Sequence, residues 1–325
     1  MVRNSITSPV DRRALVLPAR VSVWRKGTIV AVWRYRYLYL MLLIPLAYFG
    51  YFRFYPILGS VMAFKDYRLR SGIWGSQWVG LAHFRALFDD EMFLRALRNT
   101  VTIAVLKLIF VFPAPIILAI FINEVRSMFY KRFLQTVVYV PYFLSWVIYA
   151  AILYVVLSVD TGFVNNILAA LGFDRIPFFQ RPDLFQPIVV VSSILKESGW
   201  AAVIYLASMS TIDPHLYEAA HLDGANRWQL MRHITLPGLA TTIMTLLILQ
   251  LGWFLVVGFD QVFILQNSIV LSTGDIIETF IYRIGLQQGR FDYAAAAGLF
   301  NSAVGLLLVV VADRIAKRMG LPGIL

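Results

Sequence analysis

Long apolar runs separated by short polar intervals dominate this chain. Six are long enough to cross a bilayer as helices, which takes about 20 apolar residues. They fall near 37–64, 99–122, 134–157, 187–209, 237–259 and 293–315. The pattern predicts an all-α polytopic membrane protein with six transmembrane helices. The first run holds Pro45, Arg53, Pro56 and Gly59 and predicts a tilted or broken helix, or one that runs past the interface. The second holds Pro113 and Pro115, where a kink is expected. Neighbouring helices can satisfy the carbonyls that such prolines free. Between the runs, 65–98 reads as short amphipathic helix in a surface-lying connector, and 158–186 and 260–292 read as loops.

Composition supports this picture. Hydrophobic residues make up 59% of the 325 positions and charged residues only 14%, against about a quarter charged in a soluble domain. Hydropathy sets no soluble domain apart. The expected division is a basic tail at 1–36 and a membrane domain at 37–325. Cysteine is absent, which excludes disulfides, thiol catalysis, iron–sulfur clusters and Cys-ligated zinc.

The net charge of +11 matters through its location. Residues 1–36 carry Arg3, Arg12, Arg13, Arg20, Arg25, Lys26, Arg34 and Arg36 against one acid, Asp11. Such a block before the first span reads as a cytoplasmic orientation signal. With both termini inside, the inner segments hold 16 Lys/Arg and the outer ones 10. No nucleic-acid recognition motif accompanies the charge, and no nucleic-acid partner is expected. The apolar run that follows exceeds a signal-peptide core and is expected to remain as the first span.

Catalytic signatures are missing. The sequence has no G-x-x-x-x-G-K-[ST], no G-x-S-x-G and no H-E-x-x-H. Glu218 and His221 form one E-x-x-H, but a di-iron bundle needs two such motifs and further glutamates. Neither an enzyme nor a metal site is expected.

One polar stretch, 213–237, interrupts the apolar pattern on the inner side. Asp213-Pro214 predicts a helix start and a short helix over 214–222. Asp223-Gly224-Ala225-Asn226 reads as a turn, with Gly224 free to take positive φ. A second helical piece over 227–235 leads to Pro237. Ala219 and Ala220 keep one face thin, while Leu216, Tyr217, Leu222 and Glu218 suit a partner's groove.

Glu218-Ala219-Ala220, then Gly224, then Ile234-Thr235-Leu236-Pro237 match the EAA signature. The chain thereby resembles permease subunits of binding-protein-dependent ABC importers. Blocks such as "KRFLQTVVYVPYFLSWV", "LKESGW" and "YRIGLQQGRFDYAAAAGLFNS" are similar to the LplB-type branch of carbohydrate permeases, and together such blocks cover most of 55–302. The resemblance implies the helical permease fold of these importers, with a cytoplasmic EAA coupling helix. It implies ATPase contact through Glu218, Ala219, Ala220 and Gly224, and a return into the membrane supported by Ile234, Leu236 and Pro237. It further implies a second homologous permease, two cytoplasmic ATPase subunits that bind ATP and Mg, and a solute-binding protein. This chain itself would hold no cofactor. The implied location is a bacterial inner membrane, and the implied cargo is an oligosaccharide or polysaccharide, with alginate one candidate. A different solute, or a self-contained secondary transporter, are the alternatives; the latter would need no docking loop.

Lys196 and Glu197 sit near the middle of the fourth run. Charges there cost about 2.5–3.5 kcal/mol on insertion scales, so both should face the bundle interior or a wet cavity. Adjacent helical residues point about 100° apart, so they need not pair. Either a substrate path or an interhelical polar network fits them. Trp200, Gln250, Trp253 and Asn301 are further path candidates. Arg53 and Lys107 are expected to snorkel or pair at interfaces.

Overall fold

The computed structural model describes residues 34–318. The basic tail, up to residue 33, lies outside the described residues. Among the described residues, five helical runs are long and apolar enough to cross a membrane: Arg36–Phe64, Glu91–Glu124, Pro182–Met209, Arg227–Gly252 and Phe291–Arg318. A sixth arises only when two helices bent by 107° are counted together.

The chain divides into two compact units, one ending at Gly59 and one beginning at Ser60. The first carries α1 (Arg36–Phe49), a π-helical turn (Gly50–Phe54) and a short helical segment (Tyr55–Ile57).

Past a 3-10 turn that ends at Phe64, the second unit forms a hairpin, β1 (Lys65–Asp66) antiparallel to β2 (Gln77–Trp78), followed by α2 (Ala82–Asp89) and α3 (Glu91–Leu106). The Asp90 carboxylate caps α3, accepting from the Met92 N–H at 2.8 Å and the Phe93 N–H at 3.4 Å. The connector expected to lie on the surface is instead built into the core. Leu87, Phe93 and Ala96 are fully buried in one cluster with Phe280, Ile284, Tyr293 and Ala297. The apolar face of this amphipathic stretch is covered by protein.

Beyond Leu106 the helix widens into a π turn (Lys107–Val111) and continues as α4 (Pro113–Glu124). The cause is Pro113, which has no N–H and whose ring displaces the carbonyl four residues back. The Phe112 N–H reaches past it to the Lys107 carbonyl. The same device precedes Pro56, where Tyr55 donates to Gly50, and Pro237, where Leu236 donates to Met231. All three prolines therefore sit in helices that widen before them.

The third expected span, 134–157, is not one helix. α5 (Met128–Phe143) and α6 (Trp146–Val156) meet at the 107° bend. Leu144 and Ser145 are extended, and the Ser145 hydroxyl caps α6 by accepting from the Ile148 N–H at 3.3 Å. After α7 (Phe163–Ala170) comes α8 (Pro182–Met209), whose apolar window is half buried. Gly199 lets α8 touch α5: a Cβ there would fall 1.9 Å from the Val138 carbonyl oxygen.

The polar stretch forms α9 (Pro214–Leu222), a short helix (Arg227–Leu230) and a π turn (Met231–Thr235) before α10 (Leu236–Gly252). α11 (Phe259–Leu265) and α12 (Ile277–Tyr282) follow, and α13 (Phe291–Arg318) closes the described chain. The 260–292 segment, expected as a loop, is largely core: Val262, Leu265, Val270, Ile276, Ile277 and Phe280 are fully buried. The Asp275 carboxylate, 1% exposed, takes a bidentate pair from Arg283 at 3.0 and 2.6 Å.

Candidate functional site

Two features stand out: an exposed helical elbow before α10 and a cavity within the helices.

The elbow forms as its residues dictate. The Asp213 carboxylate accepts from the His215 N–H at 3.0 Å and starts α9. Gly224 takes φ +79°, the left-handed turn expected of it. Asn226 and Gln229 then form a reciprocal capping box at 2.8 and 3.0 Å. The Tyr217 and Thr235 hydroxyls meet at 3.1 Å and tie the two arms together. Glu218 stands 3.2 Å from His215 Nδ1, one turn back. Glu218, Ala219 and Gly224 are exposed. Leu216, Leu222 and Trp228 are apolar yet exposed, Leu222 to 90%. Ala220, Gly224 and Ile234 share one hollow of about 300 Å³ between the arms. Leu236 packs with Ile120, Tyr205 and Leu239 in a core cluster, where the chain re-enters the bundle, and Pro237 follows the π turn.

The cavity, about 390 Å³, is lined by Lys107, Glu197, Ser198, Gln250 and Trp253 among mostly apolar side chains, with Gly258 at its edge. Three of the expected path residues, Glu197, Gln250 and Trp253, meet here. Asn301 lies in a smaller adjoining hollow that Trp253 also lines. Its Oδ1 is buried without a partner, as is the Ser198 hydroxyl. Orphaned polar atoms facing a cavity suit a hydroxylated ligand or water.

Lys196 takes the network role left open by the sequence. It is 5% exposed and lies outside the cavity lining. Its ammonium donates to the carbonyls of Pro141, Tyr142 and Leu144 at 3.2, 2.9 and 2.6 Å. These belong to the bend between α5 and α6, where helix-end carbonyls lose their usual donors four residues on and the Pro141 carbonyl takes the Leu144 N–H at 3.3 Å. The rings of Tyr142, Trp146 and Tyr149 surround it at 5.6, 5.3 and 5.8 Å. Trp200 stacks on Tyr142 at 5.0 Å, also outside the cavity lining.

Lys107 corrects the interfacial reading. It is not snorkelling: it donates to the Val257 carbonyl at 2.7 Å and to Gln261 Oε1 at 2.8 Å while lining the cavity. The sequence signal was one cation in an apolar run just before a proline. Glu278 holds the facing turn by accepting from the Gly258 N–H at 3.2 Å. Burial pushes its carboxyl up, opposed by the Gly258 and Val257 N–H groups and by the Lys107 charge.

A family model for the binding-protein-dependent transport system inner membrane component matches residues 111–321. The chain belongs to this family. The permease is 44% identical over 318 residues to protein LplB of Bacillus subtilis (strain 168), covering 98% of this chain and 99% of that one. It is 43% identical over 300 residues to YteP of the same organism, a polygalacturonan/rhamnogalacturonan transport system permease, covering 92% and 94%. A crystal structure of a bacterial alginate ABC transporter, in complex with an alginate pentasaccharide-bound periplasmic protein, contains a chain that superposes with a TM-score of 0.86. That chain is 42% identical, and the match covers 92% of the permease and all of the other chain. The permease is therefore a non-catalytic membrane subunit of an ABC transporter.

Proposed function

We propose that the permease forms half of the translocation path of an ATP-driven importer for an oligosaccharide or polysaccharide handed over by a solute-binding protein. The observation that carries this is the cavity, with a few polar groups set among apolar side chains. Glu197, Gln250, Ser198 and Lys107 offer groups for sugar hydroxyls, and Trp253 offers a face for a sugar ring. The cargoes named for the relatives described above are polygalacturonan/rhamnogalacturonan and the acidic polysaccharide alginate. Acidic oligosaccharides are thus the first to test.

The elbow is the coupling element in this reading. Glu218, Ala219, Ala220 and Gly224, with exposed Leu216 and Leu222, dock on a cytoplasmic ATPase subunit. Ile234, Leu236 and Pro237 carry its displacement into α10. Two ATPase subunits bind ATP and Mg, and a second homologous permease supplies the other half of the path. Both termini lie in the cytoplasm and the membrane is the bacterial inner membrane, as the basic tail supports.

The test is reconstitution in proteoliposomes with these partners and a panel of neutral and acidic oligosaccharides. Ligand-loaded binding protein should stimulate ATP hydrolysis and uptake for one class. Stimulation only by a non-sugar solute would reject the cargo, and ATP-independent uptake by this chain alone would reject the importer.

A further inference from the structure

Beside the cavity lies a polar cluster that the proposed function uses only through Lys107. α10 begins beside the elbow, and its 17 residues span about 25 Å at 1.5 Å per residue. Trp253–Gly258 therefore mark the end of the cavity remote from the elbow. There the chain turns and sends α11 back against the bundle, packing Val262 and Leu265 with Ile103, Phe185 and Val189.

Gln261 on α11 is 1% exposed and spends every hydrogen-bonding valence. Its Nε2 donates to the Val189 carbonyl at 2.7 Å and to the Ser192 hydroxyl oxygen at 2.8 Å. Its Oε1 accepts from Ser193 Oγ at 3.1 Å and from Lys107 Nζ at 2.8 Å. One side chain thus binds α8, α11 and the π turn between α3 and α4. Lys107 alone belongs to both this cluster and the cavity wall, and its second bond, to Val257, holds the turn above α11.

We infer that Gln261 is a latch closing the remote end of the cavity, and that Lys107 makes the latch responsive to what fills the cavity. This rests on the cavity being the translocation path. An apolar side chain would pack α11 without needing partners. A fully satisfied amide fits one register only, and a small shift of α11 breaks four hydrogen bonds at once. The arrangement therefore favours two states, latched or opened to water, over gradual loosening. A ligand oxygen in the cavity competes for the Lys107 ammonium and removes one of the four bonds.

The chain has no native cysteine, so Ser198→Cys places a single thiol in the cavity wall. The assembled transporter in nanodiscs is treated with a membrane-impermeant thiol reagent, and labelling of this chain is followed by mass. Gln261→Leu removes all four bonds and should raise the labelling rate more than tenfold, since one ordinary hydrogen bond alone is worth up to about tenfold. Ser193→Ala, which removes a single bond and leaves α11 packing intact, should raise it less. Ligand-loaded binding protein should raise labelling with Lys107 present and not in Lys107→Met. Equal labelling in the parent, Gln261→Leu and Ser193→Ala, with ATP hydrolysis retained, would overturn the latch while leaving the path in place. A thiol unlabelled throughout ATP turnover in every variant would overturn the path reading and the latch with it.

Discussion

Lys196 and Glu197 are neighbours on α8, and their side chains serve different structures. The Lys196 ammonium lies 2.6 Å from the Leu144 carbonyl oxygen at the α5–α6 bend, and Glu197 lines the cavity. Lys196→Met should therefore act on the bend: three carbonyls lose the Lys196 ammonium, the Pro141 carbonyl keeping the Leu144 N–H, at a cost of about 1–3 kcal/mol. Thermal unfolding of the purified complex should show the loss, with the ranking of sugars unchanged. Glu197→Gln should leave unfolding unaltered and change transport. A selectivity change in Lys196→Met at unchanged stability would reverse the two roles.

Gly199 makes a second prediction about the same contact. A methyl group would meet the Val138 carbonyl at 1.9 Å, and backbone on both sides leaves little room to yield. Gly199→Ala should separate α5 from α8 at an overpacking cost of about 1–3 kcal/mol. Reduced yield of assembled complex is the readout, and wild-type yield and melting would contradict it.

The elbow carries a third. Glu218→Lys reverses an exposed charge, and Gly224→Asp forces a side chain into φ +79°. The latter strains the turn by up to about 1 kcal/mol, because Asp is among the few side chains that tolerate the left-handed region, and it adds a negative charge beside the docking face. Both should leave membrane insertion intact, weaken co-purification of the ATPase and abolish transport. Ligand-stimulated ATP hydrolysis at the parental rate in both would remove the elbow from coupling.

The Asp275–Arg283 pair supports a fourth. Asp275 is 1% exposed, so Arg283→Met strands a buried carboxylate at a cost of about 3–5 kcal/mol. Proteolysis of the 260–292 segment should accelerate strongly. The double variant Asp275→Asn, Arg283→Met should recover part of the protection; no recovery would mean the charge was not the cause.

Apolar length made five long helices legible, and caps and turn residues made the elbow legible, because both signals are local. The Asp213 cap and the Gly224 turn form where the sequence places them. The 260–292 segment was illegible for the opposite reason. Val262, Leu265 and Phe280 sit in short helices, and Ile276 just before one, among Asp275, Glu278 and Gln261, and their burial comes from partners such as Ile103 and Phe93 far away in sequence. The bend at Leu144 was masked by unbroken hydropathy, and its chief support, Lys196, lies about fifty residues downstream. Ser198 was passed over because a small hydroxyl leaves no mark on an apolar pattern.

The widened turn at Lys107–Val111 has a consequence for reading helix faces. A π turn adds one residue to its circuit, which offsets the helix beyond it by about 100°. A helical wheel drawn straight from Glu91 to Glu124 therefore assigns one half to the wrong side. Drawn as two wheels with their phases reset at Pro113, the helix carries Lys107, the one cation of its apolar stretch, at the seam, where it can look inward while the apolar stripes continue on either side.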